Sequence, residues 1–242
     1  MMIRNTAAKI FLAGQRGKEE TPVYRSLHTL TGDTFHNEHT TAFGDLLRMD
    51  DELLAPGQQV EHMVKSDASL IVLPLSGTLE CLLPDGNTTG IAGSQVLVIP
   101  LSAGEKYVML NTSRLHNAGY LQLLIKRKAG TRESGPAMAG YNLTRFMNVL
   151  MRIAAMPDLG TVKGWHLSLG KFTANSETMY RTRNENAGLF VFVIEGLFEV
   201  EGRMLQARDG LAIWNTQETR TMALRQDAVL LTLECPFNFS HP

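Results

Sequence analysis

One punctuated pattern occurs twice along this chain, and internal repetition constrains an architecture more than any single motif. The first copy runs from Gly57 to Asn111. It contains Ser69-Leu-Ile-Val-Leu-Pro-Leu-Ser-Gly77, a Pro84-Asp85-Gly86-Asn87 turn, Gly93-Ser-Gln-Val-Leu-Val-Ile-Pro100 and Gly104-Glu-Lys-Tyr107-Val-Met-Leu-Asn111. The second reads Leu189-Phe-Val-Phe-Val-Ile-Glu-Gly196, a Glu201-Gly202 turn and Asp209-Gly210-Leu-Ala-Ile-Trp214. Gly77 to Gly196 is an offset of 119 and Gly93 to Gly210 one of 117, so the second copy has the shorter hairpin turn. Apolar runs rich in Val, Leu and Ile, broken by Gly, Pro, Asp and Asn and lacking a 3.6-residue period, read as short antiparallel strands. The glycines are expected at positive-φ turn positions, with Gly86 and Gly202 in hairpins. The expected fold class is all-β, two like barrels in tandem.

A net charge of −1 over 242 residues argues against a nucleic-acid partner, which would select a basic face. The densest basic run, Lys126-Arg127-Lys128, reads as a solvated strand end. Cys81 and Cys235 fall in different halves and form no disulfide framework; buried, inert thiols are expected. No signal peptide is evident at Met1 to Thr6 and no apolar stretch is long enough to span a membrane, so a cytoplasmic location is expected. The expected boundaries are a first barrel at 1–128, a linker at 129–141 rich in small and turn-forming residues, and a second barrel at 142–242. Residues 142–152 are open between a short helix and a strand. His28, His36 and His39 lack regular ligand spacing and read as polar-loop residues.

The stretch Gly57 to Asn111 resembles the cupin superfamily, with Gly104, Tyr107 and Asn111 following the spacing of its second motif. The wider chain is similar to the pirin and quercetinase-like bicupins. The matching landmarks are Arg25-Ser-Leu-His-Thr-Leu, Phe43-Gly-Asp-Leu-Leu-Arg-Met-Asp-Asp, Leu54-Ala-Pro-Gly, Leu75-Ser-Gly-Thr-Leu-Glu, Ser102-Ala-Gly, Met156-Pro-Asp-Leu-Gly and Val193-Ile-Glu-Gly196. The resemblance implies two tandem cupin barrels, that is, double-stranded β-helices of jelly-roll type. It also implies a divalent metal, held in enzymatic members by three His and one Glu of the first barrel. Those positions fall here on Met63, Lys65, Tyr107 and Met109, and the superfamily's other carboxylate position falls on Ser69 or Leu70. None of the four is a usual ligand for Fe(II) or Ni(II). An ammonium about 4 Å from a divalent ion would add repulsion on the order of 8 kcal/mol, an upper bound at an effective dielectric of about 20. The corresponding second-barrel residues, Thr182, Asn184, Gly188 and Thr219 to Thr221, supply no metal set either.

The expectation is therefore a family member without the usual metal ligands, with no cofactor. Its pocket would be lined by Met63, Lys65, Tyr107, Met109 and Ser69 and would take a small molecule, anionic or carbonyl-bearing. Strand alternation with Met63 and Lys65 inward puts His62 outward; a one-residue slip would bring it in and make it a metal candidate. A soft Cu(I) site from His62, Met63 and Met109 is a further alternative. The leading functional expectation is a small-molecule-binding or protein-interaction module with a regulatory or sensory role, because some pirins act through protein partners. The alternative is a quercetin 2,3-dioxygenase-like oxidoreductase with an unorthodox Fe, Ni, Cu or Mn site. A cofactor-free isomerase or lyase using Tyr107 and Lys65 comes third. No membrane partner is expected, and the chain is a monomer or a homodimer.

Overall fold

The computed structural model describes residues 6–32, 35–127, 135–156, 164–184 and 186–237. Among the described residues, apart from two 3-10 turns, Ala13–Gln15 and Glu38–Thr40, every regular element is a β-strand. The chain forms two compact units. One comprises Arg16–Ala42 and Leu46–Tyr141, the other Met1–Gln15, Phe43–Asp45 and Asn142–Pro242.

In the first unit a seven-stranded sheet runs in the order Ala137–Gly140, Gln95–Leu101, Ala68–Ser76, Ala118–Lys126, Leu46–Leu54, Tyr24–His28 and Gly17–Glu20. A four-stranded sheet faces it, ordered Gln59–Met63, Lys106–Asn111, Leu79–Leu82 and Thr88–Ile91. Leu54, Leu70, Val72, Leu97, Ile99, Tyr107, Met109 and Tyr120 lie in one buried cluster with residues of both sheets, as expected for a sandwich closing into a barrel. The second unit repeats the plan. Its larger sheet is ordered Ala7–Phe11, Gly210–Trp214, Ala187–Glu195, Ala228–Pro236, Trp165–Phe172 and Met151–Met156. Its smaller sheet is ordered Glu177–Arg181, Glu218–Ala223, Leu197–Val200 and Arg203–Gln206. All pairings within both units are antiparallel, as expected of tandem cupin barrels.

The repeat has a packing reason. Gly77 and Gly196 both have positive φ (75° and 88°), and a Cβ at either would press on the first residue of the facing strand. At Gly77 it would meet Ala118 Cα at 3.0 Å, at Gly196 Ala228 Cβ at 2.6 Å. Gly86 and Gly202 likewise take positive φ in their hairpins. The other repeated pair differs from expectation: Gly93 and Gly210 do not have positive φ, and the left-handed residues beside them are Ser94 and Arg208.

Three segments qualify a simple division of the chain into halves. Ala7–Phe11 pairs with Gly210–Trp214, so the N-terminal segment joins the second sheet. Ala137–Gly140, within the expected linker, pairs with Gln95 to Val98 as an edge strand of the first unit. Phe43–Asp45 belongs to the second unit, where the Phe43 ring lies 4.7 Å from that of Phe237. The remainder of the linker at 129–134, Lys128 and the Pro157 to Gly160 landmark lie outside the described residues. Residues 142–150 are turns, with Asn142 Oδ1 accepting from the Arg145 amide at 2.9 Å, and the strand Met151–Met156 follows. Among the described residues no helix is long and apolar enough to cross a membrane.

Candidate functional site

Strand parity decides what faces the interior of the first barrel. On Gln59–Met63 the inward side chains are Val60 and His62, continued by buried Val64; Gln59, Glu61 and Met63 face out. This corrects the expected register. Met63 is 50% exposed and Lys65 is exposed, while His62 is the residue turned in. Counting from the motif glycine and following hydrophobic alternation give opposite answers here. Alternation prevails, because Val60 and Val64 are the side chains that must leave water. Tyr107 and Met109 are buried in the interior. Ser69 is buried on the face of its strand opposite Ala68, Leu70 and Val72, so it does not join them. Of the five expected pocket residues, the structure brings together two.

A polar cluster that the sequence reading did not identify surrounds those two. Leu46–Leu54 turns Arg48, Asp50, Glu52 and Leu54 inward, beside Tyr24, Ser26 and His28 of one neighbouring strand and Tyr120 and Gln122 of the other. Glu52 is its hub. Its carboxylate accepts from Tyr24 Oη (2.8 Å), Ser26 Oγ (3.4 Å), Tyr120 Oη and Gln122 Nε2. His62 Nε2 lies 3.4 Å from Glu52 Oε2, close to the carboxylate but off the line of a hydrogen bond. The His62 ring stacks on Tyr107 at 5.1 Å between centroids and 24° between planes. The Tyr107 hydroxyl donates to Gln122 Oε1 (2.8 Å) and accepts from Arg48 Nη2 (3.3 Å). Arg48 Nε stands 2.6 Å from Asp50 Oδ2, whose other oxygen meets His28 Nδ1 at 2.8 Å. His28 is thus a buried strand residue, not a loop residue; His36 and His39 remain exposed in the loop.

The electrostatics follow from burial and partners. Burial alone would raise the Glu52 carboxyl, but His62, Arg48 and the Tyr120 hydroxyl outweigh it, so its pKa lies below the usual carboxylate value. Burial would lower the His28 imidazole, yet the hydrogen bond and charge of Asp50 hold it above its ordinary 6.5. Tyr107 is pushed up, first by burial, and remains a neutral phenol. Cys81 is pushed up to about 12 by burial, in keeping with an inert thiol. Asn111, the matched motif residue, ties strand ends together: its Nδ2 donates to the carbonyls of Leu54 (3.1 Å), Ala55 (3.0 Å) and His116 (2.9 Å).

These donors do not reproduce a set of three imidazoles and a carboxylate. The ligating types stand in two pairs, His62 beside Glu52 and His28 beside Asp50; Glu52 is already taken up by four donors, Asp50 is engaged by Arg48 and His28, and Tyr107 is a protonated phenol. Among the described residues no group of three or more His, Cys, Asp or Glu side chains is placed to hold a metal ion.

Comparison with known proteins fits this architecture. Residues 163–234 match the quercetinase C-terminal cupin domain. A protein of Pasteurella multocida (strain Pm70), provisionally named a quercetin 2,3-dioxygenase, is 21% identical over 232 residues, covering 92% of this chain and 97% of its own. The bacterial pirin YhhW of Escherichia coli, solved in complex with nickel(II), superposes with a TM-score of 0.80 at 16% identity, covering 96% of this chain and 100% of its own. A quercetin 2,3-dioxygenase of Acinetobacter baumannii gives 0.66 at 13% identity, covering 96% and 80%. The repeated barrels, the matched second-barrel domain and these full-length likenesses agree: the chain has the fold of two tandem cupin barrels and is similar to the pirin and quercetinase-like bicupins.

Proposed function

We propose that the first barrel is a metal-free small-molecule-binding module with a sensory or regulatory role, in which fixed side-chain charges stand where the family places its ion. The observation that carries this reading is Glu52, a buried carboxylate provided with four donors and an imidazole by its own barrel. A carboxylate in that state has its charge compensated without a cation. Lys65 points away, so the cation offered to a ligand is Arg48, whose side chain keeps 19% of its surface open beside partly open His62. A carboxylate or carbonyl group is the matching ligand chemistry, since a guanidinium fork binds such oxygens in pairs. The regulatory part, exerted through a protein partner, rests on the family likeness.

A quercetin 2,3-dioxygenase-like activity is the competing reading, favoured by the Pasteurella multocida relative that spans nearly the whole chain. Elemental analysis of protein purified without chelator, with oxygen uptake on quercetin, separates the two. Metal far below one ion per chain and no uptake are expected. Near-stoichiometric iron, nickel, copper or manganese, lost on His62→Ala, would overturn the proposal. Thermal-shift titration with benzoate tests the ligand chemistry, with stabilisation of the wild type and none of Arg48→Gln expected.

A further inference from the structure

Two hydroxyls inside the second barrel are left over by its hydrogen bonding. Thr219 and Thr232 are each 1% exposed, and the Oγ1 of neither has a hydrogen-bond partner. Both face inward. Thr219 lies opposite Tyr180, and Thr232 opposite Val191 and Ser168; Tyr180 and Val191 belong to the buried cluster of this barrel. Thr221, opposite Thr178, adds hydroxyls to the same face. Buried hydroxyls ordinarily find partners, so a pair left over together marks a place where something else supplies them.

The first barrel shows what usually fills the place. Tyr107 stands opposite His62 as Thr219 stands opposite Tyr180, and Gln122 opposite Asp50 as Thr232 stands opposite Ser168. Tyr107 and Gln122 close on each other at 2.8 Å, so these two positions meet across the interior. Replacing that pair by two threonines, and Met109 by Thr221, removes the contact and shortens the side chains at these three positions, while Phe172 and Phe198 stand where the first barrel has Leu54 and Leu79. Tyr180 is larger than His62, but its hydroxyl is directed 2.8 Å to Glu234. Glu234 also accepts from the Arg183 and Asn184 amides (2.8 and 3.2 Å), which leaves it saturated against a cation and repulsive to an anion. Leu189, Val191, Phe198 and Val200 make the surroundings apolar.

We infer that the second barrel is a separate ligand site for a small neutral molecule with an apolar body and one hydroxyl group, its oxygen held between Thr219 and Thr232. The inference is independent of what the first barrel binds. Ordered water would satisfy the same hydroxyls, and the test distinguishes the two. Phenol is titrated into the full chain with toluene as the hydroxyl-free control, and the threonine methyl resonances are followed by NMR. Saturable shifts of Thr219 and Thr232 with phenol are expected. The isosteric pair Thr219→Val and Thr232→Val should weaken phenol binding about tenfold or more, the worth of two hydrogen bonds, and leave toluene unchanged. Transplanting the first barrel's pair, Thr219→Tyr with Thr232→Gln, should abolish both. Absence of saturable shifts in the wild type, or unchanged phenol binding in the valine pair, overturns the inference and leaves water as the partner of these hydroxyls.

Discussion

On Leu46–Leu54 the inward side chains are Arg48, Asp50, Glu52 and Leu54; at the same places on Trp165–Phe172 stand His166, Ser168, Gly170 and Phe172. On the same strand plan, the first of these strands carries charges into the interior of one barrel, and its counterpart carries no carboxylate or guanidinium into the other. The difference teaches what a buried charge requires. Glu52 is tolerated because Tyr24, Ser26, Tyr120 and Gln122 converge on it from both neighbouring strands. At Gly170 a side chain has no room at all: a Cβ would meet the Phe172 ring at 2.6 Å and the Val149 carbonyl at 2.7 Å. The second barrel keeps a single-centre arrangement instead, Glu234 with Tyr180 and two backbone amides.

This contrast can be broken by substitution. The largest effect is expected from Asp50→Ala, which strips the shared carboxylate from Arg48 and His28. Leaving buried cations unpaired costs about 3–5 kcal/mol in urea unfolding, against less than 1 kcal/mol or so for Ser168→Ala at the matching place. A pH profile sharpens the comparison. The His28 pKa is raised above 6.5, so its contribution is complete below that value and is lost as pH rises through the folded pKa. The Glu52 pKa is lowered from 4.5, so its contribution is present above that value and lost as pH falls through the folded pKa. Stability should therefore be highest between 4.5 and 6.5, and His28→Asn should flatten the alkaline limb alone.

Smaller effects separate the two phenols. Tyr107→Phe should cost about 1–3 kcal/mol, since it leaves buried Gln122 and Arg48 each short of a partner. Tyr180→Phe should cost about 1 kcal/mol, because Glu234 retains its two amide donors. The smallest change belongs to Lys65→Met and Met63→Gln, within about 0.5 kcal/mol each, as both side chains are on the outer face. A large loss in either would mean that Gln59–Met63 is turned the other way.

Much of this was legible in particular residues. Gly77 and Gly196 announced the repeat because each sits where a facing alanine excludes a Cβ. Tyr107 and Met109 were placed inside by the same spacing that names the motif. His62 was legible too, since Val60 and Val64 share its parity, but motif counting pointed to Met63 and Lys65. Arg48, Asp50 and Glu52 gave the opposite signal from their role: they alternate with Leu47, Met49 and Leu53, and an ordinary strand would turn such charges outward.

The chain's own order of residues determined that there are two barrels, where their turns fall and which runs are apolar, because local sterics and hydrophobic alternation act over a few residues. Tertiary structure alone decided which charges face each other and that Ala7–Phe11 completes the distant sheet. Those outcomes depend on strands far apart in sequence meeting in one register, and a slip of a single residue would exchange every inward side chain for its neighbour.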